Sequence, residues 1–150
     1  MVDAKARVQA SFREMLKNQI APALREMGFK GSGQAYRLDV PDHWAMIGFQ
    51  RSYWAAPDEI SFTINVLVFS KADWDQRREQ RPHLPEQPNP NRYYAPNVLW
   101  QHRIGHLLPP KPRDVWWQLK DGEPTEAVAH EVIAGVRDHV LPAIRQQTAP

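Results

Sequence analysis

From Asp3 to Met27 the apolar positions Val8, Phe12, Met15, Leu16, Ile20, Ala23, Leu24 and Met27 recur three or four residues apart. That spacing gathers side chains on one face of a helix, so the segment is predicted to be long, helical and amphipathic. Pro22 interrupts it. A proline lacks the N–H and crowds the preceding turn, so a bend or split is expected near Gln19. Gly28 supplies a C-terminal stop. The following Gly28-Phe29-Lys30-Gly31-Ser32-Gly33 has neither the glycine spacing nor the helix start of a phosphate loop, and reads as a helix cap plus a turn.

The period then changes to two. Between Gln34 and Val40, Tyr36, Leu38 and Val40 alternate with Arg37 and Asp39. Pro41-Asp42 supplies a turn, and a second strand is predicted from His43 to about Ser52. After Ala56-Pro57-Asp58, the residues Ile60, Phe62, Ile64, Val66 and Val68 alternate with Ser61, Thr63 and Asn65, the clearest strand pattern in the chain.

Lys71 to Gln80 is predicted as a short charged helix. Arg81 to Pro96 carries Pro82, Pro85, Pro88, Pro90 and Pro96, which excludes a regular helix and marks a long loop. Its tether is expected to be partial, with Tyr93 and Tyr94 anchoring its C-terminal end. Leu99 to Ile104 reads as a fourth strand, and Val115 to Leu119 as a short strand or a helical turn. A closing helix runs from Pro124 or Thr125 to Gln146 with Val128, Val132, Ile133, Val136, Val140, Leu141 and Ile144 inward. Pro142 repeats the late proline of the first helix.

This order, with short connections between the early strands, predicts an α+β fold: an antiparallel sheet of four or five strands with the N- and C-terminal helices packed on one face. Phe12, Leu16, Ile20, Ile47, Phe49, Phe62, Ile64, Val66, Val132, Val136 and Val140 are expected to share one core. The other face is expected to be open and to present Arg37, Trp44, Gln50, Thr63, Asn65, Gln101 and Arg103 as a partner-binding surface. Arg103 is expected to be a structural or binding arginine paired with a carboxylate, Asp114 being the leading partner.

With 150 residues, 42% hydrophobic and 24% charged, the whole chain reads as one globular domain. The absence of cysteine excludes disulfides, thiolate metal sites and cysteine nucleophiles. Met1 to Asn18 is too charged for a signal peptide, and no apolar run is long enough to cross a membrane; the protein is therefore expected in the cytoplasm. The net charge is +2. Residues 76–113 nonetheless hold seven basic residues (Arg77, Arg78, Arg81, Arg92, Arg103, Lys111 and Arg113) against Glu79 and Glu86, a local excess of +5.

No pattern for catalysis, cofactor or metal emerges. His102 and His106 are four apart, but two imidazoles without an acidic companion do not make a zinc site, and the remaining histidines stand singly. Asp58 with Glu59 and Asp73 with Asp75 suit caps and solvated charges better than an acid–base pair. No serine occupies a nucleophile elbow. The basic segment, with Tyr93, Tyr94, Trp100, Trp116 and Trp117, has the chemistry of a nucleic-acid groove, but its cations are too dispersed for a dedicated footprint.

Gly28-Phe29-Lys30, the run from Trp44 to Ser52 that ends Phe49-Gln50-Arg51-Ser52, Arg103-Ile104-Gly105 and Asp114-Val115-Trp116-Trp117 form an ordered set. On these segments the chain resembles the bacterial domain-of-unknown-function 4304 family over nearly its full length. The resemblance implies a shared fold and carries no catalytic residues with it. Two functional classes follow. One is a non-catalytic protein that binds a protein partner, in its most specific form an immunity or antitoxin-like protein that neutralises a bacterial toxin. The near-neutral charge disfavours a strongly basic nuclease as that toxin. The other is a small enzyme or anion-binding domain that uses Arg37, Arg51 and Arg103 on the open sheet face.

Overall fold

The computed structural model describes residues 2–94 and 98–150. The chain builds an antiparallel sheet of six strands, one or two more than the alternating pattern predicts. The strands are β1 (Phe29–Ser32), β2 (Ala35–Val40), β3 (His43–Arg51), β4 (Glu59–Ser70), β5 (Trp100–Arg103) and β6 (Trp117–Lys120). β1 to β5 neighbour one another in chain order, while β6 joins the far part of the β4 edge that β5 leaves free. β5 pairs with Asn65–Val68 and β6 with Glu59–Phe62.

The extra strand β1 comes from the segment expected to be a cap and a turn. Gly28, at φ 104°, does end the helix, its N–H donating to the Arg25 carbonyl at 3.0 Å. Phe29 then pairs opposite Leu38 and is buried. Four residues with one inward side chain are too few to show a period, which is why the strand leaves no pattern in the sequence.

Each terminal arm is one continuous helical path divided in the middle by a π turn. The first consists of α1 (Ala4–Met15), a turn over Leu16–Ile20 and α2 (Ala21–Glu26); the last consists of α4 (Glu126–Gly135), a turn over Val136–Val140 and α5 (Leu141–Thr148). Residues 16–26 read LKNQIAPALRE and residues 136–146 read VRDHVLPAIRQ. In each, the N–H just before the proline bonds five residues back, Ala21 to Leu16 and Leu141 to Val136. The extra residue places Pro22 and Pro142 in the first turn of a new helical segment, where a missing N–H costs nothing. Both helices split where a proline requires it, without losing their buried faces.

All eleven residues expected to share a core do so, on one face of the sheet beneath both arms. Phe62 forms its centre, with the ring centroids of Phe12, Phe49 and Trp117 5.3 to 6.2 Å from its own, in the tilted geometry that aromatic rings favour.

The opposite face departs from expectation. A second, smaller cluster of Met46, Leu67, Phe69, Trp74 and Tyr94 covers it. Trp74 comes from α3 (Lys71–Gln80), which is capped by the Ser70 side chain at the Asp73 N–H. Its indole donates to the carbonyls of Pro85 and Glu86 at 3.2 and 3.0 Å, so it holds the proline-rich loop as well as the sheet. Tyr94 anchors the end of that loop as expected, packing edge-on to Phe69 and Trp74 and accepting a bond from the Asn89 N–H. Tyr93 does not; it is 83% exposed. Residues 95–97, including Pro96, lie outside the described residues.

Gly48 is where the loop comes closest. A Cβ there would lie 2.4 Å from Asn91 Oδ1 and 2.9 Å from Pro90 Cγ, so only glycine lets the loop lie on β3. Gly48→Ala is therefore expected to cost about 1–3 kcal/mol and to raise amide exchange selectively across residues 85–94, with the helix-side core still protected. Unchanged exchange in that segment would contradict the assignment.

Candidate functional site

The strand register places all seven expected surface residues on the face opposite the helical arms. Trp44 lies across from Phe69, Arg37 from Met46, Gln50 from Thr63, Arg103 from Asn65 and Gln101 from Leu67. The face itself was read correctly, but its openness was not. Thr63 is fully buried and its hydroxyl donates to the Val115 carbonyl at 2.7 Å. Asn65, 8% exposed, donates to Gln50 Oε1 at 2.8 Å and to Asn91 Oδ1 at 2.9 Å. Gln101 holds the loop from the other side, donating to the Arg92 carbonyl and accepting from the Tyr94 N–H. These polar groups bond the loop and the β5–β6 connector to the sheet. Alternation reports which way a side chain points, not what a distant segment lays over it.

Trp44 and Arg37 lie towards the other end of the face. Lys71 sits 5.0 Å from the centre of the Trp44 ring. The three-arginine anion site is not assembled. Arg51 belongs to the helix-side register and lies 5.8 Å from the centre of the Phe12 ring. Arg37 and Arg103 lie on β2 and β5, separated by three strand spacings, or about 14 Å. Arg103 does pair with Asp114, at 3.1 Å, while the Trp116 indole donates to the same carboxylate at 2.8 Å and stacks 5.1 Å from the guanidinium. The pair is partly open to solvent, the two side chains being 39% and 50% exposed.

The basic excess of residues 76–113 also disperses. Arg77 donates to the Tyr94 carbonyl and lies over the Tyr94 ring, and Arg113 donates to the carbonyls of Leu108, Pro109 and Lys111. Cations spent on the backbone do not form a phosphate track.

What remains accessible lies at one end of the sheet. Two neighbouring depressions, of about 440 and 500 Å³, share Gln50 and Asn91 as a common wall. Arg92, Tyr93 and Arg103 line one, and Arg51 and Tyr53 line the other. Tyr53 is 98% exposed, and its neighbour Trp54 95%. Sequence reasoning missed this pair. The available signal was two aromatic rings in a turn, between Ser52 and Ala55, with no strand or helix period to bury them.

His102 and His106 line the first depression with ring centroids 5.8 Å apart. Among the described residues no group of three or more His, Cys, Asp or Glu is placed to hold a metal ion. Partial burial, and then the neighbouring His106, pushes the His102 pKa below the ordinary histidine value.

The family model "Domain of unknown function (DUF4304)" matches residues 20–146. The chain belongs to that family. The match runs from the first π turn almost to the end of α5 and so includes the whole sheet, both covered faces and the aromatic end. No curated protein and no solved structure matches the chain significantly. The DUF4304 fold in this chain carries no helix, among the described residues, long and apolar enough to cross a membrane.

The lowered His102 pKa has a signed consequence. Folding disfavours its protonated form, so its contribution to stability is intact above the unfolded-state pKa and is lost as pH falls through the lowered folded value. Wild type is expected to lose more urea resistance than His102→Gln between about pH 7 and 5, above the range where Asp39, Asp121 and Asp138, whose pKa values are lowered chiefly by hydrogen bonds from Lys30, Arg7 and Arg137, begin to protonate. Parallel urea midpoints for the two proteins across that interval would refute the assignment.

Proposed function

We propose that this DUF4304 protein is a cytoplasmic binding protein that engages a protein partner through the aromatic end of its sheet, and that the partner is a bacterial toxin which it neutralises. The observation that carries the binding reading is the exposure of Tyr53, Trp54 and Tyr93, at 98%, 95% and 83%, around the paired depressions. Solvent-facing aromatic rings flanked by arginines are the residue types that anchor protein interfaces, where each ring buries a large area on contact. The depressions are open to solvent, with Gln50, Asn91 and Gln101 along their walls, which suits a polar-rimmed interface better than an enclosed, mostly apolar small-molecule cavity.

Charge narrows the partner. Arg92 and Arg103 line one depression and Arg51 the other, with Asp114 paired to Arg103. An acidic patch on the partner is complementary. The toxin identity is the finer part of the proposal and rests on analogy with small α+β proteins that act by occlusion. The sheet-face residues of the earlier expectation contribute in different ways: Gln50 and Arg103 line the surface, Asn65 and Gln101 hold the loop that forms its floor, and Thr63 bonds the β5–β6 connector.

Capture from the native host with tagged wild type, Tyr53→Ala/Trp54→Ala and Tyr93→Ala/Arg92→Glu tests the surface. Each pair consists of exposed side chains and should leave the thermal midpoint unchanged. A discrete protein is expected with wild type and a loss of at least about tenfold with either double variant, the scale of removing an interface anchor. Equal recovery by all three excludes this end of the sheet. Recovery of nucleic acid in place of protein overturns the protein-partner reading.

A further inference from the structure

A separate groove of about 580 Å³ runs between the first helical arm and the strands β1 to β3, on the helix-bearing side. Its floor is apolar, built from Phe12, Leu16, Ala21 and the ring of Tyr36. Arg13, Lys17, Arg25 and Arg51 line its rim, and no carboxylate lines it. None of these four cations has an ion-pair partner among the described residues; Arg25 instead donates to the Gly31 carbonyl at 3.1 Å.

Tyr36 adds an independent observation. It is 1% exposed, and its hydroxyl is buried without a hydrogen-bond partner. A phenol enclosed in this way forfeits its bonds to water, and such groups normally find an acceptor. Burial raises the pKa of this phenol, with the Arg25 charge opposing the shift, and both residues line the groove. Four cations around an apolar floor repel one another unless an anion joins them.

We propose that this groove binds a small anionic amphipath, an apolar chain or ring that ends in a carboxylate. The apolar part lies along Phe12, Leu16 and Ala21. The carboxylate pairs with Arg25 and Lys17 and accepts a hydrogen bond from the Tyr36 hydroxyl. The volume falls in the range of small-ligand sites, which combine an apolar lining with a few convergent polar groups. Two walls come from the first arm: Leu16 opens the π turn and Ala21 closes its five-residue hydrogen bond. The bulge thus turns Lys17 and Ala21 towards the groove, a use to which such turns are often put.

The experiment is an NMR titration of the full chain with decanoate and, separately, with decyltrimethylammonium, which carries the same chain on a cationic head. Decanoate is expected to give saturable shifts at Tyr36, Phe12 and Ala21, with the cation at least about tenfold weaker. Lys17→Gln/Arg25→Gln, which alters exposed side chains, should weaken decanoate about fivefold or more, and Tyr36→Phe should weaken it without loss of fold. Tyr53→Ala/Trp54→Ala should leave decanoate binding intact, so that failure of the protein-partner surface and failure of this groove are read separately. Equal affinity for the two head groups, unchanged decanoate binding in the double glutamine variant, or no saturable shift in the groove would each overturn the proposal.

Discussion

The structure depends on the burial of β4 from every side. This strand, Glu59–Ser70, pairs with β3 along one edge and with β5 and β6 end to end along the other. Ile60, Phe62, Ile64, Val66 and Val68 face the helical arms, while Leu67 and Phe69 face Trp74 and Tyr94. A strand enclosed on both faces and both edges leaves no register free, because a one-residue slip would drive Thr63 and Asn65 into the helix-side core. The helices, the loop and the β5–β6 connector are all located by reference to it.

The two faces are closed by different means. Beneath the arms the closure is hydrophobic and aromatic, and it tolerates the prolines because each π turn absorbs the missing donor. On the other face a small apolar cluster is supplemented by side-chain amides: Asn65, Asn91, Gln50 and Gln101 take up backbone and side-chain partners that a proline-rich segment cannot supply from its own N–H groups. Closing this second face displaces the accessible surface to the end of the sheet. There the β3–β4 hairpin carries Tyr53 and Trp54 outward and the loop brings Tyr93 and Arg92 alongside.

The groove and the aromatic end meet at Arg51, which lines both. Its position at the last paired residue of β3, on the helix-side register, makes it the hinge between a surface suited to a macromolecule and a cavity suited to a small anion. The two proposals therefore concern neighbouring regions of one end of the molecule, with separate residues at the heart of each.

The sequence by itself determined the helical arms, the longer strands and their inward faces. Three- and four-residue spacing marked both arms and their buried residues, alternation marked β2, β3 and β4, and the pairing of Arg103 with Asp114 followed from their closeness along the chain. These are local properties, set by backbone geometry and by charges eleven residues apart on one connection. Only the tertiary structure decided what lies on the second face. The contact of Asn91 and Pro90 with Gly48, the bonds of Trp74 to Pro85 and Glu86, and the enclosure of the Tyr36 hydroxyl join positions that no period relates. A strand residue's direction is written in its parity, but its exposure depends on where a distant, irregular segment comes to rest. That is settled by how the segment packs on the sheet.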